Sequence, residues 1–240
     1  MIRTALITGA SKGLGKTLAQ FLAQQNYNLV LTARGRHTLQ ATTDELHSTG
    51  EILAIPGNVA DAEHRRRLVD VARELGGLNL LVNNASTLGP TPLPELAEFP
   101  PEAFRYLFDV NVIAPIALVK DALPLLKASR GLVVNISSDA AIGGYLGWGG
   151  YGATKAALDL ISLTLANELN PFQVGVVAVD PGDMRTDMHQ AAFPGEDISD
   201  RPTPEVTLPF WGWLLGQDPL AVTGQRFQAQ AERWEVRELA

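Results

Sequence analysis

The run Thr8-Gly9-Ala10-Ser11-Lys12-Gly13-Leu14-Gly15 decides how this chain folds. Ahead of it, a short apolar run closing on Leu6 and Ile7 reads as a buried strand. Behind it, Leu14, Leu18, Phe21 and Leu22 recur at helical spacing, and Asn28 to Thr32 forms a second apolar run. Strand, glycine turn, helix and strand within about 30 residues make a βαβ unit.

The alternation continues outward. A helical pattern covers about 37–48, and Ile52 to Ile55 reads as a third strand. A helix follows at about 61–75, then strands at Leu78 to Val82, Gly131 to Ile136 and Val174 to Val179. Long helical patterns over roughly 101–127 and 151–169 separate the later strands, and a last strand is expected near Val222 to Phe227. Strands apolar on both faces, alternating with helices, predict a parallel sheet covered on both sides. The expected fold is therefore α/β: a doubly wound Rossmann fold with a parallel sheet of about seven strands. Ligands of such sheets bind at the carboxyl ends of the strands. The 240 residues suffice for one such domain, 1–240, and no internal repeat divides them. The stretch 182–205 reads as a long substrate loop after the sixth strand, with Asp183, Asp187, Glu196, Asp197 and Asp200 along it.

Composition narrows the function. A cysteine count of 0 excludes disulfides, zinc–thiolate sites, iron–sulfur clusters and a cysteine nucleophile, and no metal site is expected. A net charge of −7 argues against a nucleic-acid partner. Ile2 to Ile7 is too short for a signal-peptide core, and no apolar run approaches the ~20 residues of a membrane span. A cytoplasmic location without a membrane partner is expected.

The glycine turn points to a ligand. Glycine lets the backbone turn tightly and approach a pyrophosphate, while the helix N-terminus offers free N–H groups and a partial positive charge. The plain alternative, a strand–helix turn without a ligand, does not account for three glycines between a strand and a helix. Gly9, Ser11, Lys12, Gly13, Leu14 and Gly15 are thus candidate contacts of a dinucleotide. The end of the second strand selects which one. NAD sites carry a carboxylate there for the ribose 2′-hydroxyl. This chain has Thr32-Ala33-Arg34-Gly35-Arg36 and no Asp or Glu before Asp44. Arg34 offers a bidentate fork to a 2′-phosphate, with Lys12 as a second cation, so NADP(H) is favoured over NAD(H). Arg36, and Arg34 with it, could alternatively be solvated loop residues.

Tyr151 and Lys155 stand four apart at the start of a helical pattern and share one face. A tyrosine ordinarily keeps its proton to pH ~10; an adjacent ammonium stabilises the phenolate and makes an acid–base group. Ser138, just past the fifth strand, can hydrogen-bond a substrate oxygen. Alone, a Tyr-x-x-x-Lys pair is more often an ordinary amphipathic helix; Ser138 and the upstream glycine turn change that weighting.

Taken together, these motifs resemble the short-chain dehydrogenase/reductase family. The similarity covers about residues 4–187: the turn from Thr8 to Gly15, Asn83-Asn84-Ala85 after the fourth strand, Asn111, Ser138, Tyr151, Lys155 and Pro181-Gly182. The resemblance implies that Tyr151 is the general acid for carbonyl reduction and the base for alcohol oxidation. Lys155 would bond the nicotinamide ribose and depress the Tyr151 pKa. Ser138 would polarise the carbonyl, and Asn111 would hold a water relaying protons to Lys155. Asn84 and Ala85 would border the cofactor ribose, Asn58 and Val59 the adenine, and Pro181, Gly182, Met184 and Thr186 the carboxamide and phosphates. Homodimers or homotetramers are common in the family.

Several positions depart from the pattern. Ser86 stands where the family usually has Gly, and Asn58 where many members have Asp. Ser137 competes with Ser138, although the spacing to Tyr151 favours Ser138. The tail, ending in Trp234 and charged residues, lacks the family's final glycine pair. Tyr145, Leu146, Trp148, Met188, His189 and Phe193 either shape an apolar substrate pocket or pack among themselves, with His189 expected at the surface. Phe210, Trp211 and Trp213 fit a buried or interface helix. The leading expectation is an NADP(H)-dependent oxidoreductase acting on a small carbonyl or alcohol. Its rival is a cofactor-sensing protein of the same fold that does not turn over.

Overall fold

The computed structural model describes residues 2–236. Strand β1 (Thr4–Thr8) leads through the glycine turn into α1 (Gly13–Gln24), then β2 (Asn28–Thr32), α2 (Arg36–Asp44), β3 (Ile52–Ala54), α3 (Ala62–Glu74) and β4 (Leu80–Asn83). The second half adds α4 (Pro101–Phe108), α5 (Ala114–Ser129), β5 (Leu132–Ile136), α6 (Gly149–Leu169), β6 (Gly175–Asp180), α7 (Asp187–Ala192), α8 (Leu208–Leu214), α9 (Pro219–Val222) and β7 (Arg226–Gln228). All strand pairs are parallel, in the order β3-β2-β1-β4-β5-β6-β7. The expected doubly wound sheet of seven strands is what the chain forms. Strand order reverses between β1 and β4, and a crevice opens there at the carboxyl edge.

Neighbouring residues of one strand feed opposite faces of the sheet. Ile7, Leu29 and Leu31 pack with Leu14, Leu18 and Leu22 of α1 and with Phe210 and Trp211 of α8. Leu6, Val30 and Val133 pack on the other face with Leu68 of α3, Leu118 and Leu126 of α5, and Leu169 of α6. Burying a side chain of this kind is worth about 1.5–3 kcal/mol, so these two layers hold the sheet rigid beneath the crevice.

Three expectations change. The helical pattern over 101–127 is interrupted: α4 and α5 are joined by a turn of π-helix at Asp109–Ile113 that carries Asn111. The expected strand near Val222 begins only at Arg226, because Asp218 caps α9 by accepting from the Leu220 N–H, with Pro219 opening it. Helix α2 stops at Asp44, before 48; Thr42 and Thr43 near its end turn their hydroxyls back onto the Thr38 and Leu39 carbonyls.

Phe210, Trp211 and Trp213 belong to the core: Phe210 and Trp211 are buried and the partly buried Trp213 packs against them. The tail joins them, with the Trp234 ring 5.4 Å from that of Phe210 and its Nε1 donating to the Gln228 carbonyl. Among the described residues, no helix is long and apolar enough to cross a membrane, and no group of His, Asp or Glu could hold a metal.

Candidate active site

The glycine turn is built from within. Gly9 and Gly13 have φ of +68° and +49°, a region open to glycine at little cost. Gly9 lies against Asn84 and Ala85 so closely that a Cβ would meet Asn84 Nδ2 at 2.8 Å. The Thr8 hydroxyl accepts from the main-chain N–H of both Asn84 and Ala85 at 2.9 Å, and Asn84 Nδ2 donates to the Thr8 and Gly9 carbonyls. Asn84 thus braces the turn with its side chain, although its residue also borders the crevice. Gly15 does not reach the crevice; its Cα lies so near the Gly9 carbonyl that no side chain fits.

A single cavity of about 1010 Å³ runs along the carboxyl edge. At one end are Gly9, Ser11, Lys12, Gly13, Leu14, Arg34, Asn58 and Val59. At the other are Ser138, Tyr151, Lys155, Pro181, Gly182, Met184 and Thr186, with Asn84 and Ala85 in its wall. Of the candidate catalytic and cofactor-binding residues, Gly15 and Asn111 stand behind the wall, and Arg36 also lies outside the lining.

The cation end is open. Arg34 is exposed, and its Nη1 donates to the Tyr106 hydroxyl at 3.4 Å. Lys12 pairs with Asp187 at 2.5 Å, joining the glycine turn to the start of α7. Both partners are exposed, so the pair contributes little stability and yields easily to a competing anion. The turn fits a dinucleotide on structural grounds: Gly9 and Gly13 line the cavity where a Cβ would crowd it, and α1 begins there with no acidic residue in its first turn.

At the other end, Lys155 is 2% exposed, and its Nζ donates to the Ile136 carbonyl at 2.6 Å. Burial pulls its ammonium down to about 8, against the attraction of Asp159 and Asp180. Burial is also the largest influence on Tyr151 and pushes its phenol up, opposed by a hydrogen-bonding neighbour, Ser86. That upward direction is opposite to the depression the resemblance implied from Lys155, which lies one helical turn further along α6. The Lys155 Nζ is 5.4 Å from the Tyr151 ring centre and turned to the Ile136 carbonyl.

Ser138 donates to Asp139 Oδ1 at 3.0 Å and accepts from the Ala140 N–H. Ser137 also borders the cavity, but its hydroxyl is buried without a partner. The Asn111 side chain is fully used: Oδ1 accepts from Ser86 and the Thr87 N–H, and Nδ2 donates to the Thr87 carbonyl and Thr154. The expected water on Asn111 therefore has no side-chain atom to bind.

Tyr145, Leu146, Trp148, Met188, His189 and Phe193 share the cavity with Leu88. Trp148 stands 5.7 Å from the Tyr151 ring and 6.0 Å from Phe193. His189 is not a surface residue: its side chain is 11% exposed, its ring 4.9 Å from that of Phe193 and tilted by 37°, with Nδ1 facing Asp183. Helix α7, formed because Thr186 caps it by accepting from the His189 N–H, turns His189 inward. Sequence reasoning missed Tyr106, Asp139 and Asp180 in the wall. It also missed the contacts of Ser86, whose departure from the family's glycine was the available signal.

The chain matches a family model described as short chain dehydrogenase over residues 3–197. It is 31% identical over 237 residues to Uncharacterized oxidoreductase YciK of Escherichia coli (strain K12), covering 96% of this chain and 93% of that one. A short chain dehydrogenase structure from Pseudomonas syringae superposes with a TM-score of 0.88 at 34% identity, over 95% of this chain and 94% of that one. One from Shigella flexneri 2a, complexed with NADP, gives a TM-score of 0.88 at 29% identity, over 95% and 97%.

Proposed function

The chain belongs to the short chain dehydrogenase family, and from that premise we propose that it is an NADP(H)-dependent oxidoreductase interconverting a small carbonyl compound and its alcohol. The observation that carries this reading is one cavity lined by both the glycine turn and Ser138, Tyr151 and Lys155. The 2′-phosphate is assigned to Arg34 and Lys12, which stand at the cation end without a carboxylate on the strand that precedes them. The NADP held by the Shigella relative agrees with that choice.

The bound nicotinamide supplies the hydride for reduction and accepts it for oxidation. The chain's own residues handle the proton and the geometry. In reduction, the Ser138 hydroxyl turns from Asp139 to the substrate oxygen. Tyr151 Oη gives its proton to that oxygen as the carbonyl carbon gains the hydride. Burial keeps the phenol protonated at neutral pH, which suits it as the donor. Lys155 faces the phenolate left behind and lowers its cost. In oxidation the same atoms run in reverse. Trp148, Met188 and Phe193 exclude water and favour an apolar carbonyl substrate. Assembly as a homodimer or homotetramer is supported by exposed Leu160 and Leu163 on α6 and exposed Ile113 beside α5.

NADPH fluorescence titration, followed by turnover with a panel of aldehydes and ketones, tests the proposal. Wild type should bind and oxidise NADPH, and Tyr151→Phe should bind it equally and lose turnover by ~10³-fold or more. Turnover surviving in Tyr151→Phe refutes the proton role. Tight binding with no oxidation across the panel favours a sensor instead.

A further inference from the structure

Arg226 comes from the last strand, in the part of the chain beyond the family match. One guanidinium reaches three elements. Its Nε donates to Asp159 Oδ2 on α6 at 2.9 Å, and its Nη2 donates to the Ser138 carbonyl at 2.8 Å and to Asp180 Oδ2 at 3.1 Å. Asp159 lies one helical turn beyond Lys155 on the same face of α6. Asp180 closes β6, is 4% exposed, and also accepts from the Gly182 N–H at 3.0 Å. The other oxygen of Asp159 is buried without a partner, so that carboxylate depends on Arg226.

We propose that Arg226 is a positioning residue of the catalytic set: it fixes the main chain at Ser138 and balances the two carboxylates that flank Lys155. The inference rests on the assignment of Ser138 and Lys155 made above. A planar fork with several donors can make these three bonds together; a lysine ammonium on a flexible stem cannot hold the same fixed directions. The charges around Lys155 are Asp159 on its own helix, Asp180 on β6 and Arg226 on β7, with Tyr151 one turn back and Asp139 facing Tyr151 and Asp180 from the loop after β5. Both carboxylates favour the ammonium form, and Arg226, bonded to each, offsets their negative charge. Removing Arg226 therefore holds the Lys155 proton to higher pH and frees the Ser138 carbonyl.

The test is an NMR titration of the Lys155 ammonium in the full-length, ligand-free protein, with the resonance assigned by its loss in Lys155→Met. In Arg226→Gln the midpoint should rise by about one pH unit, a ~10-fold change in proton affinity. In Arg226→Lys it should stay near the wild-type value, because the charge remains, and in Asp159→Asn it should fall. With NADPH and a carbonyl from the panel, kcat should drop ~10-fold in both Arg226 variants with KM changed less than ~3-fold, since Ser138 has lost its anchor in each. An unchanged Lys155 midpoint in Arg226→Gln overturns the proposal. Should that variant not fold, a midpoint in Asp159→Asn that fails to fall does the same. The titration needs no turnover, so an inactive wild-type enzyme counts against the proposed function while the Lys155 midpoints still decide the role of Arg226.

Discussion

Gly15→Ala sets two effects against each other, and the structure says which wins. Gly15 lies inside α1, where alanine is favoured over glycine by about 1 kcal/mol. Against that, the new Cβ would stand 2.3 Å from the Gly9 carbonyl oxygen and 2.6 Å from Asn84 Nδ2. Neither neighbour is the free end of a flexible chain. The Gly9 oxygen is backbone in a turn at φ +68°, and Asn84 is held by Thr8 at both its main-chain and side-chain nitrogens. Relief requires a backbone shift of roughly 1 Å, a core overpacking cost of about 1–3 kcal/mol. It also weakens the Asn84 bonds to the turn, at about 1 kcal/mol each. The net expectation is a loss of about 1–4 kcal/mol in urea denaturation followed by tryptophan fluorescence. NADPH affinity should fall more than ~10-fold although Gly15 touches no ligand, because Gly9 is displaced. Gly212→Ala is the control: it lies in α8, and its Cβ would meet nothing nearer than Phe21 Cζ at 4.0 Å. That variant should be stabilised by up to about 1 kcal/mol. If Gly15→Ala matches it, the close approach of α1 to the Gly9 carbonyl is not what the turn depends on.

Two further expectations concern the charged ends of the cavity. Arg34→Asp should weaken NADPH binding ~100-fold while changing NADH binding much less, read by fluorescence titration of both; equal losses would remove Arg34 from the 2′-phosphate site. Lys155 titrates near 8 when folded and near 10.5 when unfolded, so at neutral pH the folded state carries a charge that burial penalises. Between those values the unfolded chain holds more protons, and stability rises with pH from about 8 to about 10, where Tyr151, with its raised phenol, begins to oppose the gain. Lys155→Met should therefore be more stable than wild type at pH 7, by up to about 3 kcal/mol, and should lose this alkaline rise; a Lys155→Met curve parallel to wild type from pH 7 to 10 would contradict it.

The first half of the sheet was legible because its signals are local. Strands apolar on both faces alternate with helices that have one apolar stripe, and Asn28 to Thr32 needed no tertiary context. The residues gathered in the cavity were legible for a related reason: each follows a strand end or opens a helix, and a parallel sheet brings those points to one edge. The π turn at Asn111 was not legible, since no residue at Asp109–Ile113 breaks helical periodicity. The Asp218-Pro219 pair that opens α9 was legible, as a cap followed by a proline at the first helical position, and it explains why the strand expected from Val222 starts later. Ser86 and Arg226 were hidden for a third reason. Their partners lie far along the chain, and no local pattern encodes a hydrogen bond from Arg226 to Ser138.

The brace on the glycine turn has a consequence for the order in which the molecule becomes itself. Thr8 and Asn84 are 76 residues apart, and at synthesis rates of about 5–20 residues per second the second emerges roughly 4–15 s after the first. During that interval β1, α1 and β2 are complete as chain, but Gly9 has nothing to lean on and the carboxyl edge has no β4 beside it. A dinucleotide cannot act as a template for the early half of this protein, because the pocket that would select it is finished by the later half. Ligand capture is thus a report that both halves of the sheet have docked, and a chain arrested before Asn84 carries the whole fingerprint without the grip.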